Sequence, residues 1–486
     1  MQRTQKWRRW ARRLAFVAAA AALIGVAVWF NLFRTQRASA AQSLEEEFLY
    51  GSMGSESEEG TPYWIWLILP KVFPEYLPGT GGWASIGLAW QEGRELPAGV
   101  TKRFIGFERV GVNCAFCHVS QVRTSADQVK PTYYPAGPGH QVHVQDYQDF
   151  LFKCASDPRF NSDTLMREIE GVTDLSLREA LLYRHVLIPL TKRALLEQRD
   201  EFAWQKQHGR PPHGPGRIDP FNPMRFRVFG QPDDKSIGNS DVPPIWNQRA
   251  RAGLSLHSDG LTKNFRETLI TSAIGDGARG KGLDLAYLDK VEAYLRDLKA
   301  PKYPLPIDAA LAERGAPIYE RACADCHAFG RARTGDVIPL AEIGTDPHRT
   351  KSWTQGQVDA WKALSADYRE RYGQKWNVDS FNKREGYVSA PLDGVWLRGP
   401  YLHNGSVPNL AALLEPPASR PRVFYRGNDL LDGAKVGFVA DQSESNGRQY
   451  FRYDTQLPGN SNAGHVYGTD LPSEEKRALV EYMKTL

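Results

Sequence analysis

Cysteine and methionine are scarce in this chain, five of each among 486 residues, beside eleven histidines. A zinc finger needs a second pair of ligands close behind its cysteine pair, and none stands at that spacing here. Charge is nearly balanced, with 61 Lys and Arg against 56 Asp and Glu. The basic residues gather at the start of the chain, and nothing forms a patch suited to nucleic acid. The apolar stretch 63–69 stops at Pro70, too short to cross a membrane, and reads as a buried element. With 24% charged and 41% hydrophobic residues, this is an ordinary globular composition, long enough for two or three domains.

Four of the five cysteines fall into two copies of one motif, Cys114-Ala115-Phe116-Cys117-His118 and Cys323-Ala324-Asp325-Cys326-His327. Paired thiols followed at once by histidine are the signature of covalent c-type haem attachment: the sulfurs bond the haem's vinyl groups and the histidine supplies a nitrogen to iron. The expected cofactors are therefore two haem c groups, with Cys114, Cys117, His118, Cys323, Cys326 and His327 holding them. A disulfide inside each motif would leave the adjoining histidine unexplained twice. Cys154 is left over and reads as a buried, inert thiol.

Arg3, Lys6, Arg8, Arg9, Arg12 and Arg13 precede an apolar run from Leu14 to Phe33. Such a run rises about 30 Å as a helix, the thickness of a bilayer core. It exceeds the roughly 7 to 15 residues of a signal peptide's central region, although Ala38-Ser39-Ala40 resembles a cleavage site. The expectation is one N-terminal transmembrane helix, with a cleaved signal peptide as the alternative. Basic residues before the run outnumber Arg34 and Arg37 after it, which places the N-terminus in the cytoplasm and the rest outside. Haem c attachment in bacteria takes place on that side, so the expected location is the bacterial inner membrane, single-pass, with the bulk of the chain periplasmic.

Gly315, Tyr319 and Cys323 recur at four-residue spacing and share one helical face leading into the second motif. This resembles the first helix of small class I cytochromes c. Residues 471–486 read as a helix with Ser473 at its N-cap and an apolar stripe of Leu479, Tyr482, Met483 and Leu486 that would pack on the opening helix. The same closing element occurs earlier, in Leu288, Val291, Tyr294, Leu295 and Leu298. Pro301, Pro304 and Pro306 then mark a stiff linker, and residues 42–60, polar and acidic, read as a tether. Residues 175–207 look mainly helical until the Gly- and Pro-rich segment 209–216. The expected fold is mainly α: two cytochrome c-type domains with long loop insertions, preceded by one N-terminal transmembrane helix. The boundaries are 1–41 for the basic tail and anchor, 42–303 for the first domain and 304–486 for the second.

Function turns on the distal face of each iron, since a second strong ligand makes an electron-transfer haem and an open face admits O2 or peroxide. His465, in a loop just before the final helix, is the candidate distal ligand of the second haem. His403 is its rival, or a residue hydrogen-bonded near the haem edge. For the first haem His257 and His185 are candidates, His185 reading better as a core residue on a long helix. His140, His143, His208, His213 and His348 stand among loop residues without an assignment.

The segments Asp241-Val242-Pro243-Pro244-Ile245-Trp246-Asn247, His257-Ser258-Asp259-Gly260, Pro400-Tyr401-Leu402-His403-Asn404-Gly405-Ser406-Val407 and Gly464-His465 resemble the bacterial dihaem cytochrome c peroxidase superfamily, which includes MauG. The wide separation of the motifs, 327 − 118 = 209 residues, resembles its rubber oxygenase (RoxA-like) branch. The resemblance implies two mostly α cytochrome domains, one haem six-coordinate and electron-donating, the other a site for peroxide or O2, with calcium often bound between domains. The calcium ligands are not readable in this sequence. Peroxidases of the family carry a tryptophan where this chain has Ser258 and a methionine ligand where it has His465, and their catalytic glutamate has no evident counterpart. No catalytic residue is assigned. The expected function is membrane-tethered periplasmic electron transfer with peroxide or O2 activation at the first haem, fed by a redox partner protein or a quinol-linked donor. The alternative is a pure electron carrier with both haems six-coordinate.

Overall fold

The computed structural model describes residues 2–33, 35–36, 41–445 and 447–486; within the first 40, side chains are described for Trp7, Trp10, residues 12–23, Gly25 and Val26. The chain is mostly helical, 43% helix against 12% strand. Its long helices are α1 (Gln2–Phe33), α2 (Val144–Ser156), α3 (Ile188–Glu201), α4 (Phe265–Gly275), α5 (Leu285–Asp297), α6 (Ala309–Ala322), α7 (Gln355–Tyr372) and α8 (Ser473–Met483).

The apolar run 14–33 lies within α1, partly outside the described side chains, and Ala38-Ser39-Ala40 lies outside the described residues. Among the described residues no helix is long and apolar enough to cross a membrane. Leu14, Phe16, Val17, Leu23 and Val26 of α1 are 63% to 77% exposed.

Two strands, β1 (Val100–Ile105) and β2 (Phe107–Val112), form an antiparallel hairpin with Val100 opposite Val112, turning at Gly106. Gly106 has φ +74°, a conformation that favours glycine. Thr35–Gln36 and Thr61–Pro62 flank the hairpin to make a four-stranded sheet; the other described sheets have two strands. The apolar stretch 63–69 is the expected buried element, a helix over Tyr63–Val72 with Ile65, Trp66 and Leu69 fully buried. Trp66 stacks on Trp83 at 4.7 Å and donates from Nε1 to the Tyr147 hydroxyl at 3.0 Å. Tyr147 in turn meets Phe116 of the first motif edge-on at 5.4 Å.

Around the second motif the closing helix packs on the opening one as expected. A Cβ on Gly315 of α6 would lie 2.0 Å from the Ala478 carbonyl oxygen of α8, so only glycine lets the backbones meet. Tyr319 and Tyr482 approach at 5.2 Å beside that crossing. One detail differs: Pro472 takes the cap position with extended backbone, and because its side chain has no acceptor the helix starts at Ser473 without a side-chain capping bond. Around the first motif, α5 packs on a short helix over Leu44–Tyr50, with Phe48 against Tyr294 at 5.4 Å.

Residues 42–60 are therefore not a tether. Phe48 and Met53 are fully buried, and Glu56, also fully buried, is held by the hydroxyls of Ser52 and Thr101. The acidic composition concealed a short amphipathic helix. His185 does not enter the core: it sits in a π-helical turn over Tyr183–Leu187 that shifts the helical phase, burying Tyr183 and Leu187 and leaving His185 exposed. The Pro-rich linker is packed down, Trp396 Nε1 donating to the Pro301 carbonyl at 2.8 Å. Cys154 is fully buried on α2, as expected.

Candidate functional site

The β1–β2 hairpin delivers the first motif. Asn113, directly after β2, accepts from the Ala115 N–H at 2.8 Å and donates to the Gly51 carbonyl at 2.7 Å, fixing the turn Cys114–Phe116. A Cβ on Gly99 would lie 2.0 Å from the Phe116 nitrogen, so the motif is wedged against bare backbone. Burial, helped by the Asp276 carboxylate, pushes the Cys114 thiol up to about 12 and Cys117 higher still. Burial also lowers the His118 pKa to about 4, leaving a neutral imidazole beside the Pro243 carbonyl, its Nδ1 without a completed hydrogen bond. Neutral imidazole is the form that binds metal.

The second motif follows α6 directly. Its His327 Nδ1 lies 2.8 Å from the Ala390 carbonyl oxygen, which can only accept. Nδ1 therefore carries the hydrogen and Nε2 keeps its lone pair for a metal. His465 faces it, the ring centres 6.2 Å apart and the planes at 41°. Two imidazoles each bound about 2 Å from one metal ion place their centres roughly 6 Å apart. The pair fits a single iron between them.

The loop that carries His465 is pinned from three directions. Arg420 spends its guanidinium on five backbone carbonyls: Glu415 from Nε, Asn462 and Gly464 from Nη1, Leu413 and His465 from Nη2, at 2.6 to 3.2 Å. The His465 N–H donates to Ile343 at 2.8 Å. Asn404 donates to the Gly459 and Ser461 carbonyls at 3.2 and 3.0 Å. His465 itself has φ +45°, a conformation few side chains adopt without such support.

Both motifs and both facing histidines line one cavity of about 910 Å³. None of the four motif cysteines is in a disulfide. His403 lines the same cavity, stacked on Tyr387 at 3.6 Å and 13°, while His257 contacts Thr268 Oγ1 at 3.3 Å. Burial lowers the His403 pKa to about 3 and that of His257 to about 4. His403 is thus a wall residue beside Tyr387, and its neighbour Asn404 supports the His465 loop.

Sequence reasoning missed several cavity residues. His213 is buried and lines it, which the Gly- and Pro-rich surroundings concealed. Arg251 and Arg398 also line it and share the single carboxylate of Asp393, leaving surplus positive charge and an unpartnered, buried Nε on Arg398. Such a group suits an anionic haem substituent. Asp276 stands on the wall near the first motif. No local pattern marks these residues; only the fold collects them.

A family described as RoxA-like, cytochrome c-like matches residues 386–425, the segment containing Ala390, Arg398, His403 and Arg420. A cytochrome c-like domain implies at least one haem c, and the fit of the His327 and His465 rings agrees with that. Among curated proteins, the uncharacterized protein y4iJ of Sinorhizobium fredii (strain NBRC 101917 / NGR234) is 32% identical over 39% of this chain and 41% of its own length. The chain thus spans well under half of that relative. The uncharacterized protein y4iM of the same organism is 30% identical over 54% of this chain and 69% of its own length. The chain carries a RoxA-like, cytochrome c-like segment and belongs to one family with y4iM.

Proposed function

We propose that this chain is a membrane-tethered periplasmic dihaem c-type cytochrome that transfers electrons and activates peroxide or O2 at the first haem. When bound, haem supplies one-electron redox chemistry and, where a face is open, a coordination site for a small oxidant. Cys323, Cys326 and His327 would hold the second haem with His465 as distal ligand; Cys114, Cys117 and His118 would hold the first.

The observation that carries this reading is the difference between the two histidines. His465 stands opposite His327, the ring centres 6.2 Å apart, whereas among the described residues no histidine ring is paired with His118 in this way. Iron held between His327 and His465 would be closed on both sides, and iron held by His118 would keep a face for a small ligand. The cavity that His118 lines also carries apolar side chains such as Phe152, Phe202, Phe221 and Leu269, a lining compatible with a small uncharged oxidant.

The exposed apolar side chains of α1 support a membrane anchor, and a redox protein or quinol-linked enzyme in the same membrane would supply electrons. The division into domains at 42–303 and 304–486 remains part of this proposal, and the two helix pairs, α5 with Leu44–Tyr50 and α8 with α6, support it. Two spectra test the reading. Oxidised protein should show one low-spin and one high-spin haem, and CO added to the reduced protein should shift the absorption of one haem only. Two low-spin haems with no CO shift would leave the pure electron carrier.

A further inference from the structure

Arg398 is tied to the second motif by a run of backbone hydrogen bonds. The Leu392 N–H donates to the His327 carbonyl at 3.3 Å, Val395 to Leu392 at 2.9 Å and Arg398 to Val395 at 3.0 Å. The same segment supplies the Ala390 carbonyl that sets the His327 ring. Arg251 comes from a distant part of the chain, its guanidinium 5.9 Å from the ring centre of Phe329, two residues beyond His327.

Both arginines line the cavity, with side chains only 10% and 13% exposed. Among the described residues they share one carboxylate: Asp393 Oδ1 accepts from Arg398 Nη2 at 2.9 Å and from Arg251 Nη2. Its Oδ2 already accepts from Asn247 Nδ2 at 3.1 Å. Arg251 Nε donates to the Trp246 carbonyl at 3.3 Å, whereas the buried Arg398 Nε has no acceptor. Trp246, whose ring centre is 5.9 Å from the Arg398 guanidinium, is fully buried and holds a second unpartnered donor, Nε1. Buried donors without acceptors are unfavourable, and two positive charges on one carboxylate leave one uncompensated. An ionised carboxylate answers both needs, since it only accepts and carries the opposite charge. Arg349, another buried arginine of the cavity wall, differs in having a carboxylate of its own, Asp259 at 3.2 Å.

We propose that Arg398, backed by Arg251, binds a propionate carboxylate of the second haem and thereby raises that haem's reduction potential. The inference rests on the haem reading above. Thioether bonds to Cys323 and Cys326 engage the vinyl groups and leave the haem's carboxylates free for a cation. Arg398 is the uncompensated charge linked to His327, which assigns it to this haem rather than to the first. A fixed positive charge beside the porphyrin favours reduced iron, which carries one positive charge less.

The test is spectroelectrochemistry of the full-length, haem-loaded protein near neutral pH. Two waves are expected, and the one that His465→Met displaces belongs to the second haem. Arg398→Gln should shift the second haem about tenfold toward its oxidised form, a fall of about 59 mV for one electron. Arg398→Lys, which keeps the charge, should restore most of that potential. Asp393→Asn should move the same wave upward, because both arginines then lack their competing carboxylate; loosened packing alone would not reverse the sign. Resonance Raman spectra should show the propionate bending band displaced in Arg398→Gln. If that variant does not fold, Arg251→Gln and Asp393→Asn supply the same pair of opposite shifts. An unmoved second wave in these variants overturns the proposal, and so does a shift confined to the first haem's wave, which would give the carboxylate to that haem. Wild-type protein without a second-haem wave overturns the haem reading instead.

Discussion

The Nη2 group of Arg420 donates to the backbone carbonyl of His465 at 2.9 Å, while Nη1 of the same guanidinium holds Gly464 and Asn462. One side chain thus fixes the loop whose imidazole faces His327. Burial lowers the Arg420 pKa to about 10, and the group stays charged at neutral pH. Lysine has three donors on one atom and cannot reproduce this fork. Arg420→Lys should cost roughly 3 kcal/mol of stability and admit a fraction of high-spin second haem. Denaturant unfolding and the oxidised-state spectrum check both effects.

His465→Met exchanges the imidazole for a thioether. The second haem should stay low-spin and its potential should rise, because methionine ligation favours the reduced iron. His465→Ala should instead open that face, so that CO shifts the absorption of two haems rather than one. Potentiometry of the two variants separates ligand identity from ligand loss.

Gly315 meets Ala478 with no space for a side chain. Gly315→Val should therefore force α6 and α8 apart, destabilising the protein by about 1 to 3 kcal/mol. Thermal unfolding monitored at the haem band reads the loss, which should appear even though Gly315 is outside the cavity.

Asp346 joins the His465 loop to the rest of the second site. It accepts from the His348 N–H at 2.9 Å and His348 Nδ1 at 2.8 Å, and from the Ser461 N–H at 3.2 Å. Burial pushes its carboxyl up, but the His348 hydrogen bonds and nearby positive charge outweigh this and hold it below the ordinary value of 3.8. A carboxylate with a depressed pKa adds stability above the unfolded value and loses it as pH falls through the folded one. Wild-type stability should therefore drop between about pH 4 and about pH 2 more steeply than that of Asp346→Asn. Urea unfolding at several acidic pH values checks this, with equal slopes as the contrary result.

Much of this was legible in the sequence because it rests on short-range pattern. Cys-x-x-Cys-His needs only five consecutive residues, and the four-residue spacing of Gly315, Tyr319 and Cys323 reports a helical face directly. His465 was readable from its place before the closing helix. The rest depends on long-range closure: Arg420 lies 45 residues from His465, and Arg251 is 142 residues from Asp393. The segment 42–60 misled for a different reason, since its acidic residues face outward or are satisfied inside while Phe48 and Met53 carry the packing.

Intact-mass spectrometry of protein matured in a host with cytochrome c assembly machinery tests the central claim most directly. The account predicts a polypeptide heavier by two haem groups, with peptides containing Cys114 and Cys117, and Cys323 and Cys326, each carrying one. An unmodified mass, or a single adduct with one motif's thiols free, would contradict it.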